Sequence, residues 1–148
     1  MGNGECWTLA HNALVAVGSS FSSRGQEPCM PSQSYTHGYK IFSFSPPSLP
    51  QPRGGVLEAG VVRGDIIQFT SSRFEAKNGS WKLAGMPDHT SVVVGVDQDG
   101  GLRVLEQNVG GVKKVVDGHY VMADLVKGDV KIFRAVGEHW VGKLDPSW

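Results

Sequence analysis

The apolar residues of this chain change their period once. Near the start, Cys6, Leu9, Ala10, Ala13, Leu14 and Val17 recur at the spacing of one helical face. From residue 64 onward the apolar residues gather instead into short runs bounded by glycine and polar turn residues, which is the pattern of strands. One helix leading into a series of strands predicts an α+β fold, with the N-terminal helix packed on a small, largely antiparallel sheet. Asn3 is the expected N-cap, placing Cys6 in the first turn, and Gly18 is the expected stop.

Between the helix and the strands the composition shifts. Residues 18–55 hold six of the eight prolines and nine serines, so they are expected to form one long irregular connection with a short strand at 39–42. A connection of this length in a compact domain is often functional, as a groove wall or a lid. Further strands are expected at 65–69, 89–96, 102–108, 111–116 and 130–136, with a single helical turn at 122–126. Asn78-Gly79-Ser80 reads as a polar turn, and His119 in Asp117-Gly118-His119 reads as a turn residue. Trp140 and Trp148 are expected to anchor the tail by packing. His37 falls in the long connection and His11 points away from Cys6 on the helix.

Composition narrows the function classes. Fourteen Lys+Arg balance fourteen Asp+Glu, so no basic surface argues for nucleic acid or an anionic membrane as the partner. Hydrophobic content of 40% with four tryptophans argues against disorder in a chain of 148 residues, which is long enough to bury a core as a single domain. No apolar run approaches the ~20 residues of a membrane span. The start Met-Gly-Asn-Gly-Glu-Cys lacks the features of a signal peptide, and Cys6 stands where a myristoylation pattern needs Ser or Thr. Two cysteines and five scattered histidines show no zinc spacing, so neither a metal nor another cofactor is expected.

The residues that can carry chemistry emerge from a turn. Asp99-Gly100 lies between two β-rich runs, the signature of a hairpin. If those two residues form the turn, Ser91 faces Asn108, Val93 faces Glu106, and His89 lies diagonally from Asn108. His89, Glu106 and Asn108 then share one face, and a slip of one residue would separate them. Cys6, in the first turn of a helix, sits where unpaired N–H groups and the helix dipole favour a thiolate. A helix-borne cysteine, a strand-borne histidine and a carboxylate or amide on the next strand make a thiol-hydrolase constellation. Asp65, following a glycine at a strand start, reads as structural.

These stretches carry a resemblance. Gly4-Glu5-Cys6-Trp7, Gly64-Asp65-Ile66-Ile67-Gln68-Phe69, His89-Thr90-Ser91-Val92-Val93 and Val104-Leu105-Glu106-Gln107-Asn108 together resemble the papain-like superfamily in its CHAP and NlpC branch, whose members are amidohydrolases and peptidases. The stretches Asn108-Val109-Gly110-Gly111-Val112-Lys113-Lys114 and Gly142-Lys143-Leu144-Asp145-Pro146 bring it closer to the C-terminal cysteine-proteinase-like domain of fungal SH3-containing actin-patch proteins, the myosin-tail-region-interacting type. The resemblance implies Cys6 as nucleophile and His89 as general base, with Glu106 or Asn108 orienting the imidazole. It implies a peptide or protein substrate or ligand, a cytoplasmic setting at cortical actin patches, and residues 1–148 as one domain of a longer, multidomain protein, with Met1 an added start. Glu5 departs from the pattern, since CHAP enzymes usually carry Gln before the cysteine. The other reading from this resemblance is a catalytically silent module that holds a partner peptide in the same groove.

Overall fold

The structure is a computed structural model and describes residues 3–46 and 55–146. Helix α1 spans Cys6–Ser23, followed by strand β1 at Tyr39–Phe44 and a single turn, α2, at Gly55–Glu58. Strands β2 (Ile66–Glu75), β3 (Trp81–Val96), β4 (Leu102–Val109) and β5 (Val112–Tyr120) follow as successive hairpins. A 3₁₀ turn at Met122–Asp124 leads into β6 (Leu125–Arg134). The six strands form one antiparallel sheet in the order β1-β6-β2-β3-β4-β5. The architecture is therefore the expected α+β arrangement of one N-terminal helix on an antiparallel sheet, consistent with a papain-like fold. Among the described residues no helix is long and apolar enough to cross a membrane.

The two faces of the sheet bury different things. Ala10 and Leu14 of α1 pack on Ile66, with Val92, Cys29 and Ala135 beside them. The opposite face carries the larger core, in which Ile67, Phe69, Val93, Val104, Val130 and Ile132 are closed over by Val56, Val61 and Met122. Strand alternation explains the division, since neighbours such as Ile66 and Ile67 point to opposite sides.

Several local expectations are corrected. The helix runs five residues beyond Gly18, which is buried, with Pro28 and Cys29 so close that an added Cβ would lie 3.3 Å from Pro28 Cβ. This glycine serves close packing, not termination. The N-cap is Glu5, which caps with no side-chain bond, while Asn3 Oδ1 accepts the Glu5 N–H at 3.1 Å. The strands of the β2–β3 hairpin are longer than the apolar runs because their distal halves are partly exposed and carry polar residues. His119 lies inside β5, its ring bonded to Asp97 at 3.0 Å, and is not a turn residue. Trp140 stacks at a tilt on Tyr39, 5.7 Å between centroids; Trp148 lies outside the described residues.

The hairpin that positions the site departs from the expected register by two residues. Its turn is wider than Asp99-Gly100: the Asp97 N–H bonds the Gly101 carbonyl at 2.8 Å and the Gly100 N–H bonds the Asp97 carbonyl at 2.9 Å. Gly100 takes φ +88, the left-handed conformation that glycine adopts at least cost. Residues 76–80 close the β2–β3 hairpin by the same pattern, with Gly79 at φ +86. A bulge between Val93 and Gly95 then adds a second residue on β3. Ser91 accordingly faces Glu106, and Val93 faces Val104. Two single-residue departures restore the parity, so Glu106 stays on the face shared with Val93 and Val104.

Candidate active site

Cys6 is the first residue of α1, and three groups converge on its sulfur: the His89 imidazole and the backbone N–H groups of Thr90 and Trp7. Burial works against ionisation of this thiol. The bond to His89, the bond from Thr90, the charge on His89 and the bond from Trp7 outweigh it, and the thiol is held below the ordinary cysteine range.

His89 is 7% exposed and its Nε2 lies 2.9 Å from Glu106 Oε2. That bond leaves Nδ1 as the nitrogen for the sulfur. The ring lies tilted on Phe69 with centroids 5.9 Å apart, which fixes its plane. Burial alone would lower the pKa of His89, but the bonds to Cys6 and Glu106 and the negative charges on both push it up to about 9. Both shifts run in the direction that favours a thiolate facing an imidazolium over the neutral pair.

Glu106 is 4% exposed, and its Oε2 accepts three donors: His89, Tyr120 Oη at 2.8 Å and Ser91 Oγ at 3.1 Å. Burial opposes its charge, yet the bonds from His89 and Tyr120, the His89 charge and the Ser91 bond keep it below the usual glutamate range. Room for the carboxylate comes from Gly118, where an added Cβ would fall 2.2 Å from Glu106 Oε1. Tyr120 is in turn covered by Lys82, whose ammonium lies 3.6 Å from the ring centroid and donates to the His119 carbonyl. The phenol is pushed up by its own burial and by the Glu106 charge, so it remains a donor.

Asn108 is not part of this chain of contacts. It adopts φ +62 at the end of β4, and its Nδ2 donates to Glu5 Oε2 at 2.7 Å. Of the two groups that could orient the imidazole, the structure brings Glu106 to it and places Asn108 on Glu5. The reason is local: the left-handed residue turns the strand out of register between Gln107 and Val109. The other Glu5 oxygen is held by Lys113 Nζ at 2.9 Å, and these partners, led by Lys113, hold its carboxyl below the ordinary range. Both oxygens of the residue before the cysteine are thus occupied away from His89.

Beside the sulfur, a turn at residues 33–36 is gripped by the Trp7 indole, which donates to the Ser34 carbonyl at 2.6 Å. Tyr35 in this turn hydrogen-bonds Asp88, which raises the phenol's pKa, the negative charge on Cys6 adding to the effect. Tyr35 and Thr36 form one wall of a cleft of about 190 Å³ with Gln68, Thr70, Lys131 and Phe133. Part of the long connection thus walls a cleft, whose lining does not include Cys6, His89 or Glu106. Asp65 is structural: its carboxylate takes Arg134 Nε at 3.0 Å and Nη2 at 2.8 Å, plus the Val62 N–H at 2.8 Å.

Sequence reasoning missed Ser91, Tyr120 and Gly118. The expected turn pairs Ser91 with Asn108, two residues from the observed register. Gly110-Gly111 is a hairpin signature between β4 and β5, but the irregularity at Asn108 shifts the pairing by one residue, which the turn alone does not reveal.

The comparisons with known proteins bear on the family and the fold. A family model for the AIM3/BBC1 cysteine proteinase-fold domain matches residues 1–145. The chain is 35% identical over 147 residues to Altered inheritance of mitochondria protein 3 of Debaryomyces hansenii, covering 97% of this chain and 15% of that relative. The chain thus spans about one seventh of the length of the curated relative it matches. No solved structure matches it significantly.

Proposed function

We propose, from the premise that this chain belongs to the AIM3/BBC1 cysteine proteinase-fold family, that it is a thiol hydrolase acting on an amide or isopeptide bond of a peptide or protein. The observation that carries the reading is the unbroken path from Cys6 through His89 to the buried carboxylate of Glu106. The Cys6 thiolate attacks the carbonyl carbon, and the C–N bond breaks as the imidazolium gives its proton to the leaving nitrogen. Water then attacks the thioester carbonyl while His89 takes one of its protons; the C–S bond breaks, releasing the acid and restoring the Cys6 thiolate beside the imidazolium. Glu106 holds the imidazole in place and stabilises its charged form. The Cys6 backbone N–H, at the start of α1, is the donor available to the oxyanion.

The test is acylation. A burst of p-nitrophenol from p-nitrophenyl acetate, stoichiometric with protein and absent in Cys6→Ser, is the expected result; a wild-type chain no faster than Cys6→Ser overturns the reading.

One observation favours a second reading, a papain-like module that binds a partner peptide without cutting it. Glu5 brings a carboxylate, an acceptor only, to the position before the cysteine. An inert Cys6 together with saturable peptide binding in the cleft is the outcome that selects it. Under either reading we place residues 1–148 as one domain of a longer protein working among protein partners at cytoplasmic actin patches. Loss of a fluorescently tagged full-length protein from cortical patches on deleting this domain is the expected result for that placement.

A further inference from the structure

His37 is fully buried, and the chemistry above makes no use of it. Its Nε2 lies 3.0 Å from Gln68 Oε1, and the same oxygen accepts Thr90 Oγ1 at 2.8 Å. Since Gln68 Oε1 can only accept, Nε2 carries the proton, and Nδ1 accepts the Ser32 hydroxyl at 2.7 Å. Burial, acting first, holds this imidazole below the ordinary histidine range, against the Gln68 bond and with the nearby charge of His11. The ring is neutral, fully bonded and seated edge-on to Phe133 at 5.6 Å.

The two arms of this network end on the two backbone donors to the Cys6 sulfur. One arm runs from Nε2 through Gln68 to Thr90, whose N–H bonds the sulfur. The other runs from Nδ1 through Ser32 into the turn at 33–36, where the Ser34 carbonyl is held by the indole of Trp7, the second residue whose N–H bonds the sulfur. We propose that His37 is a positioning residue for Cys6, a buried neutral brace that fixes the Thr90 and Trp7 N–H groups on the sulfur from the sheet side and the helix side at once. The inference rests on the thiol-hydrolase reading only in taking the Cys6 thiolate as the working species. A buried network with every member satisfied is rigid, and a donor held in place stabilises a thiolate more than one that must be recruited.

The experiment is the pH profile of Cys6 alkylation by iodoacetamide, followed by mass spectrometry of the full chain. Besides the two N–H groups, the titratable side chains that act on this sulfur are His89 from β3 and Tyr35 from the 33–36 turn, and both stay unaltered. Thr90→Val keeps the shape of the side chain and cuts the first arm; Ser32→Ala cuts the second. Each is expected to raise the midpoint and slow alkylation at pH 6.5 by about threefold to tenfold, with rates converging on wild type above the midpoint. His37→Leu is expected to do at least as much, His37→Gln to recover part of it, and the Thr90→Val, Ser32→Ala pair to give no more than His37→Leu. Variants that melt earlier yet keep the wild-type midpoint overturn the proposal while leaving the thiolate reading intact. A wild-type Cys6 midpoint no lower than that of Cys29 removes the thiolate reading, and this inference with it.

Discussion

The two cysteines of this chain show how much of a thiol's chemistry is written by its surroundings. Both are free and both are partly buried. Cys6 opens a helix, receives two backbone N–H groups and faces an imidazolium, so its thiol is held below the ordinary range. Cys29 lies against the middle of the same helix, where the Leu14 carbonyl accepts its S–H at 3.0 Å. There burial dominates and its thiol is pushed up. At Cys6 the bonds to the sulfur outweigh burial; at Cys29 burial outweighs the backbone bonds that it also receives. Cys29 also lines an apolar groove of about 540 Å³ between α1 and the residues around β6, whose lining includes neither Cys6 nor His89.

The contrast can be broken most completely at His89. His89→Ala is expected to bring the alkylation rate of Cys6 at pH 6.5 down about a hundredfold, to that of an ordinary thiol. The same change leaves Glu106 buried without its cation and is expected to cost about 3–5 kcal/mol in chemical denaturation. A variant that still labels Cys6 selectively would show that the helix start alone makes the thiolate. Next in size is Glu106→Gln, which retains an acceptor for His89 but removes the charge. It is expected to lower the His89 pKa from about 9 and slow Cys6 alkylation about tenfold at pH 6.5, seen as a shifted pH profile.

The pH dependence has a definite sign. The His89 pKa is raised from 6.5 to about 9, so the stabilisation due to its charged form is complete below 6.5 and is lost as pH climbs through about 9. Glu106 is lowered, so its share is present above its unfolded value and disappears as pH falls through the native one. Thermal melts of wild type should decline at the alkaline end in a way that His89→Ala does not reproduce. The smallest effect belongs to Cys29→Ala, expected to leave the Cys6 rate unchanged and to cost about 1 kcal/mol or less. A change in Cys6 reactivity from that distant substitution would mean that the two thiols are coupled through α1.

The parts of this molecule that could be read in advance are those with a period or a turn. Helical spacing put Cys6 in the first turn of α1, and alternation put His89 and Glu106 on one face of adjacent strands. What escaped was set by tertiary contact. Gly18 looks like a stop, but the chain from Pro28 packs onto it and the helix continues to Ser23. Asn108 continues the alternation of Val104 and Glu106 in sequence, yet its left-handed backbone hands it to Glu5. His37 lies in a stretch with no period at all, and only the folded chain reveals that it is buried against Gln68.

The paired irregularities of the β3–β4 hairpin carry a consequence for how this protein can drift over generations. The widened turn and the bulge beside Val93 each displace the pairing by one residue, and only together do they return Glu106 to the imidazole. Loss or gain of a single codon between them would swing the carboxylate to the far side of the sheet, whereas a compensated pair of such events would be silent. Length variation in this hairpin should therefore come in twos wherever the bond between His89 and Glu106 is kept, and odd changes should mark lineages in which that bond has been lost.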